Sequence, residues 1–373
     1  NGIYGGNQVY GENNPVALLM DKGHVRNMFG TLLADLSLRQ NLDALTRGLS
    51  AELLVSFDNR GGMNETSSKS YRYMNTYPTI TEDGTLVTTP AVYGKDSQEL
   101  GHSQPFNSLM MRSNFQAKLA YDRNFNGHNV HAAAMYDFRS IMRNGRNNTT
   151  RNQSVIFNAT YTYRNRYELN AVANYSGSAY LPAGSRYHFY PAVSAAWNIA
   201  GENFLGGAGW LDVLKIRASY GISGWDNSLS HELWRQAYGS GNSYVFGSNA
   251  TAVSGSAEGD LPVVGLKPER SEKMTLGLDF AAFGNRLNLY VNGFRDYRSD
   301  ILVSGSSSTS EIIGIGVGQV CEGEYLYKGA DFAISWIDRR GDFTYGISAS
   351  ASYLNSDIIN DNQAYQEYDY LYL

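Results

Sequence analysis

Side chains able to do covalent chemistry are few in this sequence, and their spacing does not assemble a catalytic set. Its six histidines stand at positions 24, 102, 128, 131, 188 and 231, with no H-E-x-x-H and no C-x-x-C arrangement among them. His128 and His131 flank the turn after Phe125 and read as structural residues rather than metal ligands. Cys321 is the one cysteine, beside Glu322 and Glu324, so there is no disulfide framework and no thiolate metal site. It reads as an inert small residue. No G-x-S-x-G nucleophile elbow occurs, and Gly239-Ser240-Gly241 belongs to a polar loop. Gly314, Gly316 and Gly318 form a G-x-G-x-G run, but no helix follows to present its N-terminus to a phosphate, so a flexible loop is expected there. Asp357–Asn362 (DIINDN) offers oxygen ligands without the glycine and terminal glutamate of a calcium loop. Neither catalysis nor a cofactor or metal is expected.

Recognition chemistry is concentrated in the loop Trp225–Arg270. It carries Trp225, Asp226, Asn227, Trp234, Arg235, Tyr238, Tyr244 and Phe246. That mixture can stack on sugar rings or peptide side chains while polar groups fix orientation. The alternative is that the aromatics pack the loop on itself or against a covering partner. The excursion Asn59–Phe106, with Tyr71, Tyr73, Tyr77 and Tyr93, allows the same two readings.

The segments that must hold these loops show period-two alternation. Leu214, Ile216, Ala218, Tyr220 and Ile222 share one parity, and Lys215, Arg217, Ser219 and Gly221 the other. Period two means a strand with two chemically distinct faces. Phe343, Tyr345, Ile347, Ala349, Ala351 and Tyr353 alternate in the same way with Thr344, Gly346, Ser348, Ser350 and Ser352. The aromatics there sit at both ends with small apolar residues between, as in the interfacial girdles of a membrane barrel. About a dozen strands are expected, near 28–40, 49–58, 107–122, 128–142, 151–163, 167–180, 187–199, 210–224, 271–283, 286–302, 324–337 and 342–357. Each is long enough for a tilted membrane strand.

Composition and connections favour an antiparallel up-and-down transmembrane β-barrel, an all-β fold. Charged residues are 17% and aromatics 13%, with 28 tyrosines and 39 glycines. Mean hydropathy is only -0.37, and no run reaches the length of a spanning helix. A barrel hides its apolar surface in alternation, so a negative mean is expected of it. Net charge of -5 supplies no basic stripe, which excludes nucleic acid as a partner. The connections alternate short (41–48, 123–127, 164–166, 200–209, 284–285, 338–341) with long (59–106, 143–150, 181–186, 225–270, 303–323). In an up-and-down barrel that rhythm puts short turns at one rim and long loops at the other. Lys215 and Arg217 then face the lumen, and Leu214, Ile216 and Ala218 face lipid. The first residues have no charged n-region or apolar h-region and the last do not look like a closing strand, so the chain is expected to be an internal piece of a longer protein, with no signal peptide within it.

The residues also carry a family likeness. Tyr175–Ser178, Ser185–Trp197, Glu202–Phe204 and Leu214–Gly224 follow one another as a Y-S-G-S turn, an R-Y-x-F-Y-P-A-x-S-A-A-W block, an E-x-F turn and L-K-I-R-A-S-Y-G-x-x-G. Leu266–Leu302, the element at Gly318–Asp331 and the closing SYLNSDI add to the match, which extends from about Asn14 to Ile359. The chain thereby resembles the SusC/RagA-like TonB-linked outer membrane proteins. It departs at Cys321-Glu322-Gly323, where N-x-G is usual, and at Asp331, where Glu is common. The resemblance implies a barrel of about 22 strands with a lumen plug, the plug lying outside this chain. It also implies the outer membrane of a Bacteroidetes-like Gram-negative cell and a SusD-like surface lipoprotein. Import of glycans or peptides would be driven by the TonB complex through a segment not in this chain. Two other readings stay open from the residues: a passive porin-like channel, and a soluble β-rich glycan-binding module.

Overall fold

The computed structural model describes residues 3–6, 13–145, 149–226, 228–230, 232–248, 250–305, 312, 314–363 and 367–368. Early in the chain come β1 (Tyr4–Gly5), the helix α1 (Pro15–Met20), β2 (Gly23–Asn41) and β3 (Leu49–Ser68). An excursion holds β4 (Tyr73–Ile80), β5 (Leu86–Tyr93) and β6 (Gly101–Ser103). Next are β7 (Phe106–Phe125), β8 (His128–Arg143), β9 (Thr149–Tyr163), β10 (Tyr167–Ser178), β11 (Tyr187–Asn198) and β12 (Leu211–Trp225). A second excursion forms the hairpin β13 (Tyr238–Phe246) and β14 (Thr251–Glu258). The chain continues through β15 (Glu269–Ala282), β16 (Leu287–Ser304), β17 (Gln319–Arg340) and β18 (Phe343–Asn360). All twelve expected strands are present.

The long strands pair in the order β18-β17-β16-β15-β12-β11-β10-β9-β8-β7-β3-β2, with β6 added to β3. Consecutive strands, or strands separated only by an excursion, are neighbours, which is the up-and-down topology the connection rhythm implies. The short turns use left-handed backbone. Asn126 (φ 48°) and Gly127 (φ 79°) close β7 onto β8 as the two-residue Asn-Gly turn whose twist matches a hairpin. Arg164 (φ 49°) and Asn165 (φ 56°) are left-handed in the three-residue turn between β9 and β10.

The chain falls into two compact units. In the smaller, residues 1–34, 56–113 and 141–149, Asn14 caps α1 by accepting from the Val16 and Ala17 amides. The Tyr4 hydroxyl donates to Asp21 at 2.5 Å. In the excursion after β3, β4 and β5 form a hairpin to which β1 adds a third strand, within the stretch 59–106 that was expected only as a long connection.

In the larger unit, residues 35–55, 114–140 and 150–373, register makes the two faces explicit. One rung crosses eight strands as Tyr163, Tyr167, Trp197, Ile216, Leu278, Val291, Phe332 and Ala351. Its neighbour of opposite parity reads Thr162, Glu168, Ala196, Arg217, Gly277, Asn292, Asp331 and Ser352. Among the described residues little packs on the apolar face: Leu276 is 63% and Ile347 73% exposed. Soluble surfaces seldom carry so continuous an apolar sheet, and hydrocarbon covers it at no cost.

On the polar face some of the charges are matched across strands. Lys215 meets Glu168 at 3.4 Å, and Arg217 meets Asp279 at 3.0 Å with its guanidinium 4.9 Å from the Tyr290 ring centre. Both side chains thus lie opposite Leu214, Ile216 and Ala218. At the β11–β12 turn, Glu202 accepts from Tyr167 (2.5 Å), Trp197 (3.2 Å) and Arg166 (3.2 Å).

The loop expected at Gly314–Gly318 is instead tied down. The Leu261 amide donates to the Gly316 carbonyl at 2.8 Å, and Leu261 bridges Val317 in parallel. β16 and β17 also run farther than alternation suggested, to Ser304 and from Gln319.

Two outcomes follow. Ile216→Arg, which puts a cation against lipid at a cost of roughly 2–4 kcal/mol near the midplane, should lower the yield of assembled barrel in an outer-membrane insertion assay far more than Lys215→Gln. Hydrogen bonds from Tyr167 and Trp197, with Arg166 adding charge, hold the Glu202 carboxyl below the usual carboxylate range. Its contribution to the turn is therefore complete above that range and is lost as pH falls through the depressed value. Hydrogen exchange of residues 199–209 should speed up on acidification, and Glu202→Gln should remove that pH dependence.

Candidate functional site

The polar parity of β9–β12 ends, on the long-loop side, in a cleft of about 330 Å³. Its floor comes from Asn152, Ser154, Asn174, Ser176 and His188, and Trp225 with Asp226 closes one flank at the end of β12. Local geometry explains why these groups gather. Register places Asn152 beside Ser178, Ser154 beside Ser176, and Asn174 beside Tyr190, so all point to one side of the sheet.

Most of the floor is internally bonded. Ser154 and Ser176 share a hydrogen bond of 2.7 Å, and Ser176 donates to Asn174 at 2.7 Å. His188 is fixed by its Nε2 against the Ser185 carbonyl at 2.9 Å. Tyr190 lies over Gly224, where a Cβ would come within 2.2 Å of its phenol ring. Only glycine admits that approach.

Two charged groups are left for a ligand. Asp226 accepts from Asn152 Nδ2 at 2.7 Å, and among the described residues no cation pairs with it. Arg186, also in the lining, makes only long contacts of 3.4 Å to the Leu181 carbonyl. By contrast, two arginines outside the cleft are already paired: Arg270 with Glu272 at 2.7 Å and Arg298 with Asp296 at 3.2 Å.

The loop residues expected to act together are separated by the fold. Trp225 and Asp226 line the cleft. Trp234 packs instead on a small core of Leu181, Leu229, Val263 and Leu266, and Arg235 stacks over it at 4.5 Å while pairing with Glu232 at 3.1 Å. For those two the self-packing alternative holds. Tyr238, Tyr244 and Phe246 stand on the β13–β14 hairpin, all more than half exposed. Asn227 lies outside the described residues. Lys215 and Arg217 share the polar face but are bound to Glu168 and Asp279 rather than to the cleft.

Asn152, Asn174, Arg186, His188 and Tyr190 were not singled out in the sequence. Their signal was present as polar parity at the strand ends beside long loops. Cys321 also flanks the small core, its thiol donating to the Asp300 carbonyl at 3.1 Å.

The sequence has known relatives. It matches the family described as TonB dependent receptor-like, beta-barrel, over residues 3–371. The chain belongs to this family. It is 28% identical over 253 residues to TonB-dependent receptor P3 of Formosa agariphila, covering 58% of this chain and 24% of that protein. Likeness to TonB-dependent receptor SusC of Bacteroides thetaiotaomicron is 28% over 160 residues, 42% of this chain and 16% of the relative. Among solved structures, the RagAB peptide importer in its 'open-open' state superposes with a TM-score of 0.64 at 14% identity, covering 90% of this chain and 37% of that one. The chain thus spans a quarter or less of these curated relatives. As part of a TonB-dependent receptor barrel it is an outer-membrane protein, and its apolar face is the lipid face.

The small core should govern the loop above it. Leu266→Ala, which empties a fully buried site at about 2–5 kcal/mol, should make residues 226–268 of this TonB-dependent receptor barrel sensitive to limited proteolysis while leaving the barrel itself intact.

Proposed function

We propose that this chain provides wall and outer loops of a TonB-driven, non-enzymatic outer-membrane importer whose cargo is a neutral oligosaccharide. The single observation behind the cargo is the cleft, where an unpaired Asp226, the amides of Asn152 and Asn174, and the exposed indole of Trp225 converge. Planar polar groups that accept and donate to vicinal hydroxyls, beside an aromatic face for the ring, suit sugars. In the full protein, ligand would be captured at the outer loops, covered by a SusD-type lipoprotein, and released inward when TonB rearranges a plug. This chain contributes binding and enclosure to that cycle.

A second reading takes a peptide. It is favoured by Arg186, a cation without a carboxylate partner among the described residues, which could hold a peptide carboxylate while Asp226 meets an amine. RagAB, whose fold this chain shares, is a peptide importer by its own description.

The test uses the full-length protein with its lipoprotein, titrated calorimetrically with neutral oligosaccharides and with short peptides. Sugar binding should weaken about ten-fold or more in Asp226→Ala, since a hydrogen bond to a charged group is lost, and measurably in Trp225→Ala. Binding of peptides with no binding of sugars overturns the oligosaccharide reading. Uptake that persists after TonB is deleted overturns active import and leaves a passive channel.

A further inference from the structure

On the lipid face at the short-turn rim, two adjacent hairpins carry an arrangement that ligand import does not use. Arg123 and Phe125 end β7, His128 starts β8, and Tyr161, Tyr163 and Arg164 close β9. The His128 ring lies 5.3 Å from Phe125 and 4.6 Å from Tyr163, with its Nδ1 2.8 Å from the Tyr161 hydroxyl. The Arg164 guanidinium sits 5.2 Å from the Tyr163 ring centre and that of Arg123 5.8 Å from Phe125. The Arg164 amide donates to the Gly127 carbonyl at 2.7 Å, which ties the two turns together.

Tyr161 and Tyr163 share the register face of Leu169, Trp197 and Ile216, so the cluster opens toward lipid and not toward the lumen. Among the described residues neither Arg123 nor Arg164 has a carboxylate partner, and both are exposed. Two other cations at the same rim are already paired: Arg166 with Glu202 at 3.2 Å and Arg286 with Asp338 at 3.3 Å. A guanidinium laid on a ring keeps its N–H edges free, and those edges match a phosphate bidentately. Short turns of outer-membrane barrels lie on the periplasmic side, where the leaflet presents phospholipid headgroups.

We propose that the β7–β8 and β9–β10 turns form a binding site for the headgroup phosphate of an anionic phospholipid in the periplasmic leaflet, with Arg123 and Arg164 as its ligands and Phe125, His128 and Tyr163 as the platform that holds them. The lipid's acyl chains then lie along the apolar rung beside Tyr161 and Leu169. The site rests on the membrane placement of the barrel and is independent of the cargo.

The full-length protein, purified in detergent and loaded with phosphatidylglycerol, phosphatidylethanolamine or inorganic phosphate, is read by native mass spectrometry for retained adducts. Phosphatidylglycerol should be retained over phosphatidylethanolamine, and the double variant Arg123→Gln/Arg164→Gln should retain about thirty-fold less, each single variant about five-fold less. Should the double variant fail to assemble, the single variants carry the test. Arg286→Gln, which removes a cation already paired, should leave retention unchanged. Equal retention in wild type and variants, an equal loss in Arg286→Gln, or displacement of the lipid by inorganic phosphate would each overturn the proposal.

Discussion

Backbone hydrogen bonding in hydrocarbon is the constraint on which this structure depends. A strand that crosses a bilayer finds no water for its N–H and C=O groups, so each must pair with a neighbouring strand. Pairing in extended conformation then forces side chains to alternate between the two faces. The rung from Tyr163 to Ala351 and its polar neighbour from Thr162 to Ser352 are both direct consequences. A one-residue slip anywhere in the ladder would send Lys215 and Arg217 toward lipid and Ile216 toward the lumen.

The same alternation supplies the recognition surface. Beyond the hydrocarbon band the polar parity continues into the loop side, where Asn152, Asn174 and His188 no longer face ion-pair partners across the wall. They meet a loop that is anchored rather than free, because Leu181, Leu229, Val263 and Leu266 form a small buried core beneath it. Anchoring brings Trp225 and Asp226 over the strand ends and leaves the β13–β14 hairpin projecting. The lipid side shows the complementary design. Aromatic residues gather at the strand ends, and at one pair of turns they hold cations that no carboxylate among the described residues neutralises.

Alternation in the sequence was enough to locate all twelve long strands, their faces and the rhythm of their connections. Residues such as Lys215, Ile216 and Ala351 could be assigned a side because parity is local, written within ten residues and independent of what pairs where. The two excursion hairpins were not legible. β13–β14 is rich in Ser and Gly, and β4–β5 mixes Thr, Tyr and Pro with apolar residues; both are largely exposed, and neither shows a sustained apolar period. The run at Gly314–Gly318 is a loop, as expected, but its tie was not legible: it is a bridge from Val317 to Leu261, a residue more than fifty positions earlier.

Membership of the TonB-dependent receptor barrel family, the strand count and the division between lipid and polar faces follow from the order of residues alone. Which loop residues stand together does not. Trp225 and Trp234 are nine positions apart in one aromatic loop and read alike, yet one lines the cleft and the other is packed into the small core. That outcome depends on contacts between Leu181, before β11, and Leu266, before β15, which only the folded register of the wall brings into reach. Period two is a property of a segment, whereas a binding site is a property of distances between segments.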